Sequence, residues 1–210
     1  MFSNREEAGH LLAKALTEYK NTDAIVLAIP RGALPIGALI SKNLHLPLDI
    51  VLTKKIGHPS NKEYAIGAVS LGSKVLDESA KHISKSYLDD EIKRLQAILL
   101  EKSKMYYQDK KPLELDGKTL IVVDDGIATG NTILATVKLL AAKHPKQIII
   151  ATPVSSASAL LKLQKSPEVT NIICLLQPHH FHAVGAFYKD FNPVSDEEAI
   201  SLFHTNNKVS

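Results

Sequence analysis

Residues 120–132 read Leu120-Ile121-Val122-Val123-Asp124-Asp125-Gly126-Ile127-Ala128-Thr129-Gly130-Asn131-Thr132. A wholly apolar run ends abruptly in two carboxylates. A turn with two glycines and two hydroxyls follows, and then a helical pattern. A continuous apolar run of this length, bounded by turn residues, suits a strand buried on both faces of a parallel sheet. The backbone N–H groups of such a turn, together with a helix N-terminus, form a natural seat for a phosphate. Paired carboxylates accept hydrogen bonds from vicinal hydroxyls. The stretch therefore suits a phosphorylated sugar.

Outward from this stretch the same alternation continues. A strand is expected over 119–123, a helix over 132–142, a strand over 147–152, a helix over 156–163 and a strand over 171–176. Ser195-Asp196-Glu197-Glu198 caps a last helix that runs to about His204. Apolar strands alternating with helices imply an α/β fold with a mostly parallel central sheet covered on both faces. Ligands bind such sheets beyond the carboxyl ends of the strands, which is where Asp124 and Asp125 fall.

Upstream, Ser3-Asn4-Arg5-Glu6 has capping-box spacing and opens a helix over 5–19. Residues 24–29 read as a strand, 35–42 as a helix and 48–53 as a second strand. Lys54 to Tyr64 is polar and rich in Gly, Pro and Asn, which predicts a mobile loop. Residues 65–75 suggest a short hairpin. A long amphipathic helix is expected over 81–107, with Leu88, Ile92, Leu95 and Leu99 as its apolar stripe. Asp89/Lys93 and Asp90/Arg94 are spaced for pairing on its other face.

The 210 residues, 45% hydrophobic, are enough for one domain with a substantial core. The expected organisation is a single domain over 1–210. It comprises a core at about 20–176, a mobile loop at about 54–68 and a hood at about 177–192, with helices at both termini. No apolar run approaches the ~20 residues that span a bilayer. Met1 to Glu7 has no signal-peptide character, so a cytoplasmic location is expected. The formal net charge of +3 is too weak to argue for nucleic acid, and 5% aromatics without Trp argue against a single-strand stacking platform. The lone Cys174 lies in an apolar run and reads as an inert strand residue.

Val122 to Thr132 resembles the signature of the type I phosphoribosyltransferases. That resemblance implies that Asp124 and Asp125 hold the ribose hydroxyls of 5-phosphoribosyl 1-diphosphate (PRPP). It implies that Gly126, Ile127, Ala128, Thr129, Gly130, Asn131 and Thr132 hold its 5′-phosphate. It also implies a Rossmann-like core with a small hood and a flexible loop. Asn131 stands where Gly, Lys or Ser is more usual, a position that offers mainly its backbone N–H.

Pro30-Arg31-Gly32-Ala33 is similar to the family's diphosphate loop, which contains a non-proline cis peptide, here between Pro30 and Arg31. Arg31 would then act at the departing diphosphate, beside Asp124 and Asp125 as the catalytic set. Ala33 replaces the second glycine common in the purine enzymes. Lys54 and Lys55 match basic residues that reach the diphosphate, or else are two solvated lysines. The resemblance implies Mg²⁺ held mainly through PRPP, with no protein ligand assigned, and a homodimer.

Pro178, Phe181 and Gly185 fit the hood pattern of purine enzymes, with Phe181 as the residue to stack on an acceptor. The cluster His179, His180, His182 has no helical spacing and no cysteine nearby, which disfavours a zinc site. Ala128 departs from the Asp usual in 6-oxopurine enzymes and offers no general base, so the acceptor stays open.

Three functions follow. The leading one is Mg²⁺-dependent transfer of the phosphoribosyl group from PRPP to a nitrogen acceptor, a nucleobase, with release of diphosphate. The alternatives are a PRPP-sensing regulator on the same fold, or another PRPP-consuming enzyme.

Overall fold

The computed structural model describes residues 1–206. Five parallel strands form the central sheet: β1 (Ile25–Ala28), β2 (Leu48–Ile50), β6 (Thr119–Val123), β7 (Gln147–Val154) and β8 (Asn171–Leu176), in the order β2-β1-β6-β7-β8. Between β2 and β6 the chain builds a second, antiparallel sheet from β3 (Lys54–His58), β4 (Asn61–Val69) and β5 (Lys74–Leu76). The helices are α1 (Arg5–Ala15), α2 (Leu34–Leu44), α3 (Lys85–Tyr107), α4 (Asn131–Ala141), α5 (Ala157–Gln164) and α6 (Asp196–Asn206).

Strand alternation divides the core into two layers. Val26, Ala28, Ile121, Val123, Ile149 and Ala151 face one side and pack with Leu12 of α1, Ile36 and Ile40 of α2, and Phe203 of α6. Ile25, Leu27, Leu120, Val122, Ile148 and Ile150 face the other, against Ile133 and Val137 of α4 and Leu163 of α5. Because both faces are covered, the strands carry consecutive apolar residues, as in Ile25–Ala28 and Leu120–Val123. This is why Leu120 to Val123 shows no polar alternation.

The strand order places the site. From β1 the chain moves outward to β2, then returns to the opposite side of β1 as β6 and continues outward through β7 to β8. The sheet therefore reverses direction between β1 and β6, and the crevice of a doubly wound sheet opens at such a reversal. Ala28 pairs with Val123 at this point. The segments that follow the two strands, Pro30–Ala33 and Asp124–Thr132, thus start side by side.

Several expectations need correction. Residues 54–68, expected as a loop, form β3, the turn at Pro59-Ser60 and most of β4. Ile56, Ile66 and Val69 are buried against the Leu88, Ile92, Leu95 and Leu99 stripe of α3, so polar residues on the outer face masked a strand pair. The first helix ends at Ala15 and is followed by a 3-10 turn at Thr17–Tyr19. Its cap is Asn4, whose side chain accepts the Glu7 N–H at 2.9 Å, while the Glu7 carboxylate accepts the Ser3 N–H. The capping box is one residue later than Ser3/Glu6. Helix α3 starts at Lys85, after a 3-10 turn at Glu78–His82. Arg94 pairs with Glu91 at 2.8 Å, not with Asp90. The hairpin of β4 and β5, the strand over 119–123, the strand over 171–176 and the Ser195 cap on Glu198 N–H at 3.1 Å are as expected.

Candidate functional site

Strand β6 ends where its last ladder bonds do: Ile29 N–H donates to Val123 O at 3.0 Å and Asp124 N–H to Ala151 O at 3.2 Å. The next side chains project beyond the sheet edge. Asp124 Oδ1 accepts the Asp125 N–H at 3.0 Å. Burial, and then the charge of Asp125, pushes the Asp124 carboxyl well above the usual carboxylate range. Burial raises Asp125 as well, opposed by the guanidinium of Arg5. Ionising both carboxyls at this spot is therefore disfavoured in the free protein.

Beyond the acids the chain stays attached to β7. Ile127 N–H donates to Val154 O at 2.9 Å, Ser156 N–H to Ile127 O at 3.0 Å, and the Ser156 hydroxyl to Ala128 O at 2.6 Å. This anchorage fixes the turn from outside, leaving Thr129 exposed. Gly130 sits at φ +73°, where a side chain would be strained, and starts α4 with no side-chain cap. The Asn131 N–H reaches the Thr129 hydroxyl at 3.5 Å, and the next N–H groups of the first turn of α4 point out of the helix, where an acceptor can meet them. Lys162 of α5 donates to Thr129 O at 3.0 Å and to the Asn131 side chain at 2.7 Å, which adds an ammonium beside this start.

The loop after β1 contains the expected cis peptide between Pro30 and Arg31. Gly32 packs on the acids: a Cβ there would lie 2.0 Å from Asp125 Oδ2. The two motifs are therefore one surface. Arg31 Nη1 lies 3.4 Å from Asp196 at the start of α6. Arg31, Asp124, Asp125 and Lys102 line a common cleft. A second, basic cleft meets it at Pro30 and Lys102, and contains Lys54, Lys55, Lys62, Arg94 and Thr132 with Glu91. Lys54 and Lys55 thus open β3 at the site's edge, on a strand and not on a loop.

Three site residues escaped the sequence reading. Arg5, at the start of α1, donates through Nε and Nη2 to Asp125 Oδ2 at 2.9 and 2.8 Å. Lys102 and Lys162 lie on the faces of α3 and α5. Each is an isolated cation in a helical pattern, with no local signal to distinguish it from a solvated one.

The hood contributes other side chains to this cleft. Phe181 stacks on Phe187 at 5.4 Å and packs against the core, and it is not among the residues lining the cleft. Val184 and Phe191 line it instead. Phe191 is itself stacked on Tyr188 at 4.8 Å and covered by the Arg5 guanidinium at 3.9 Å. The Cys174 thiol, raised by burial, donates to Leu176 O at 3.3 Å.

A family model described as the phosphoribosyl transferase domain matches residues 4–188. A Mycobacterium tuberculosis protein provisionally named a phosphoribosyl transferase is 30% identical over 208 residues, covering 96% of this chain and 46% of its own length. The chain thus spans about half the length of the curated relatives it matches. The crystal structure of TT1426 from Thermus thermophilus is similar at a TM-score of 0.89 and 33% identity, over 96% of this chain and 97% of that one.

Proposed function

The chain belongs to the phosphoribosyl transferase family, and from that premise we propose that it moves the 5-phosphoribosyl group of PRPP to a nitrogen of a nucleobase, releasing diphosphate. The observation that carries this reading is the contact of Gly32 with the Asp125 carboxylate. It brings the loop after β1 and the acids after β6 together where the sheet reverses, which supports reading them as the diphosphate loop and the ribose motif of one site.

In this reading the 5′-phosphate sits on the backbone of Ala128 to Thr132, with the Thr129 and Thr132 hydroxyls. Asp124 and Asp125 receive the 2′ and 3′ hydroxyls. Arg31, the loop N–H groups and Lys54 or Lys55 hold the diphosphate. The bond from C1 to the diphosphate oxygen breaks with its electron pair leaving on the diphosphate. A nitrogen lone pair then closes on C1 and that nitrogen gives up its proton. Ala128 cannot take this proton, so it passes to solvent or to the departing diphosphate. Catalysis is mostly positioning and electrostatic stabilisation of the leaving charge.

Magnesium bound with PRPP would supply charge neutralisation on the diphosphate. Among the described residues no group of three or more His, Cys, Asp or Glu could hold a metal ion. In this reading Mg²⁺ would be held mainly through PRPP.

Calorimetric titration with PRPP, with and without Mg²⁺, tests the donor, and a screen of nucleobases for diphosphate release tests the acceptor. Mg²⁺-dependent binding lost in Asp124→Asn supports the reading. Binding without release by any base favours a PRPP sensor. No binding by the wild type removes PRPP from the account.

A further inference from the structure

Arg5 lies outside both motifs and 120 positions from Asp125. Its side chain is nonetheless among the most constrained at the site, with 12% of its surface exposed. Nε and Nη2 donate to Asp125 Oδ2, Nη1 donates to Asn192 O at 2.8 Å, and the guanidinium covers Phe191. The backbone that carries it is woven into the hood. Phe2 N–H donates to Phe187 O, Lys189 N–H to Phe2 O and Asp190 N–H to Ser3 O, at 2.8, 2.8 and 2.9 Å. From the other side the Tyr188 hydroxyl donates to Asp125 O at 2.7 Å. Asp125 is thus gripped by its side chain and its main chain, both from hood-linked groups, and backed by Gly32.

Oδ2 takes both guanidinium donors while Gly32 lies against the same carboxylate, so Asp125 has little room to turn. Asp125 then presents its remaining oxygen in one direction, beside the Asp124 carboxylate that lines the cleft. We infer that Arg5 is a positioning residue for the sugar: it locks Asp125 so that the two carboxylates meet the ribose hydroxyls in a single register, and it ties that register to the hood. The inference rests on the phosphosugar reading above.

The test is calorimetry on the full chain with two probes, ribose 5-phosphate and inorganic diphosphate with Mg²⁺. The proteins are wild type, Arg5→Lys, Arg5→Gln, Asp125→Asn and the double variant Arg5→Gln/Asp125→Asn, each checked for folding by its melting curve. Arg5→Gln should weaken ribose 5-phosphate about tenfold or more, as loss of an orienting partner does. Arg5→Lys, which keeps the charge without the fork, should fall between. Diphosphate binding should not change, and the double variant should bind the sugar no worse than Asp125→Asn.

Unchanged sugar binding in Arg5→Gln, additive losses in the double variant, or equal losses for both probes would each overturn the role. If Arg5→Gln unfolds, Arg5→Lys alone decides, by whether it loses sugar but not diphosphate. A wild type that binds neither probe overturns the phosphosugar reading itself, which is a different failure.

Discussion

Lys162 on α5 donates to the side-chain oxygen of Asn131 at 2.7 Å. The first residue of α4 thereby holds an ammonium brought from the next helix, where the proposed 5′-phosphate would sit. A charge fixed beside a phosphate seat strengthens binding through both its hydrogen bonds and its field, and it is screened by salt.

Lys162→Met keeps the aliphatic stem and removes the charge. It should weaken PRPP binding by about 1 kcal/mol, the scale of an exposed ion pair, and flatten the salt dependence of the affinity. Melting temperature should hardly move. Titrations at low and high salt check this, and an unchanged salt slope refutes the role.

Asp124 leads to a prediction with a definite sign. Its folded pKa is raised above the unfolded value of about 3.9. The folded protein therefore binds the extra proton more tightly than the unfolded chain does. The stability from this group is fully present below about pH 3.9 and is lost as pH rises through the raised folded pKa. Asp124→Asn removes this loss while keeping the oxygen that accepts Asp125 N–H. The variant should be more stable than wild type at neutral pH, by about 0.5–2 kcal/mol, while losing PRPP binding. Melting curves against pH decide: the gap between the two proteins should widen as pH rises.

Gly32→Ala places a methyl 2.0 Å from Asp125 Oδ2. The carboxylate is clamped by Arg5 and cannot swing aside cheaply. Overpacking of about 1–3 kcal/mol is expected, together with loss of PRPP binding. Equilibrium urea unfolding and calorimetry measure the two effects. Wild-type values in both would mean the loop moves as a unit.

Away from the site, the buried Asp49 accepts from neutral donors: Tyr107 OH at 2.7 Å, Leu113 N–H at 2.7 Å and Ile50 N–H at 2.8 Å. Burial raises its pKa, and these bonds oppose the rise. Tyr107→Phe keeps the edge-on contact with Phe203 and removes one donor. A cost of about 1.5–3 kcal/mol is expected, the range for a hydrogen bond to a charged group. Urea unfolding should show it with an unchanged denaturant slope.

The second half of the chain was legible because each element signals locally. Leu120 to Val123 and Asn171 to Leu176 are short apolar runs with turn residues at their ends, and they form strands at the expected residues. The segment after Lys54 misled because its turn-forming residues outnumber its apolar ones. Only its packing on Leu88, Ile92, Leu95 and Leu99 reveals that Ile56 and Ile66 belong to a buried face. Phe181 shows a related limit of local spacing. A spacing of hood residues does not say which aromatic turns inward, and here Phe187 takes its face.

What the sequence determined by itself is the order of strands and helices of the central sheet, its parallel character, and the motif that carries the family resemblance. All of these rest on interactions within about a dozen neighbouring residues, or on an apolar periodicity that admits one answer. Tertiary structure alone decided the partners. Asp125 meets Arg5 from 120 residues away, Gly32 meets Asp125 across the β1–β6 reversal, and Lys162 reaches Asn131 from another helix. A charge pair formed by chain crossing leaves no trace in local spacing, because its two members are brought together only after the sheet has closed the distance between them.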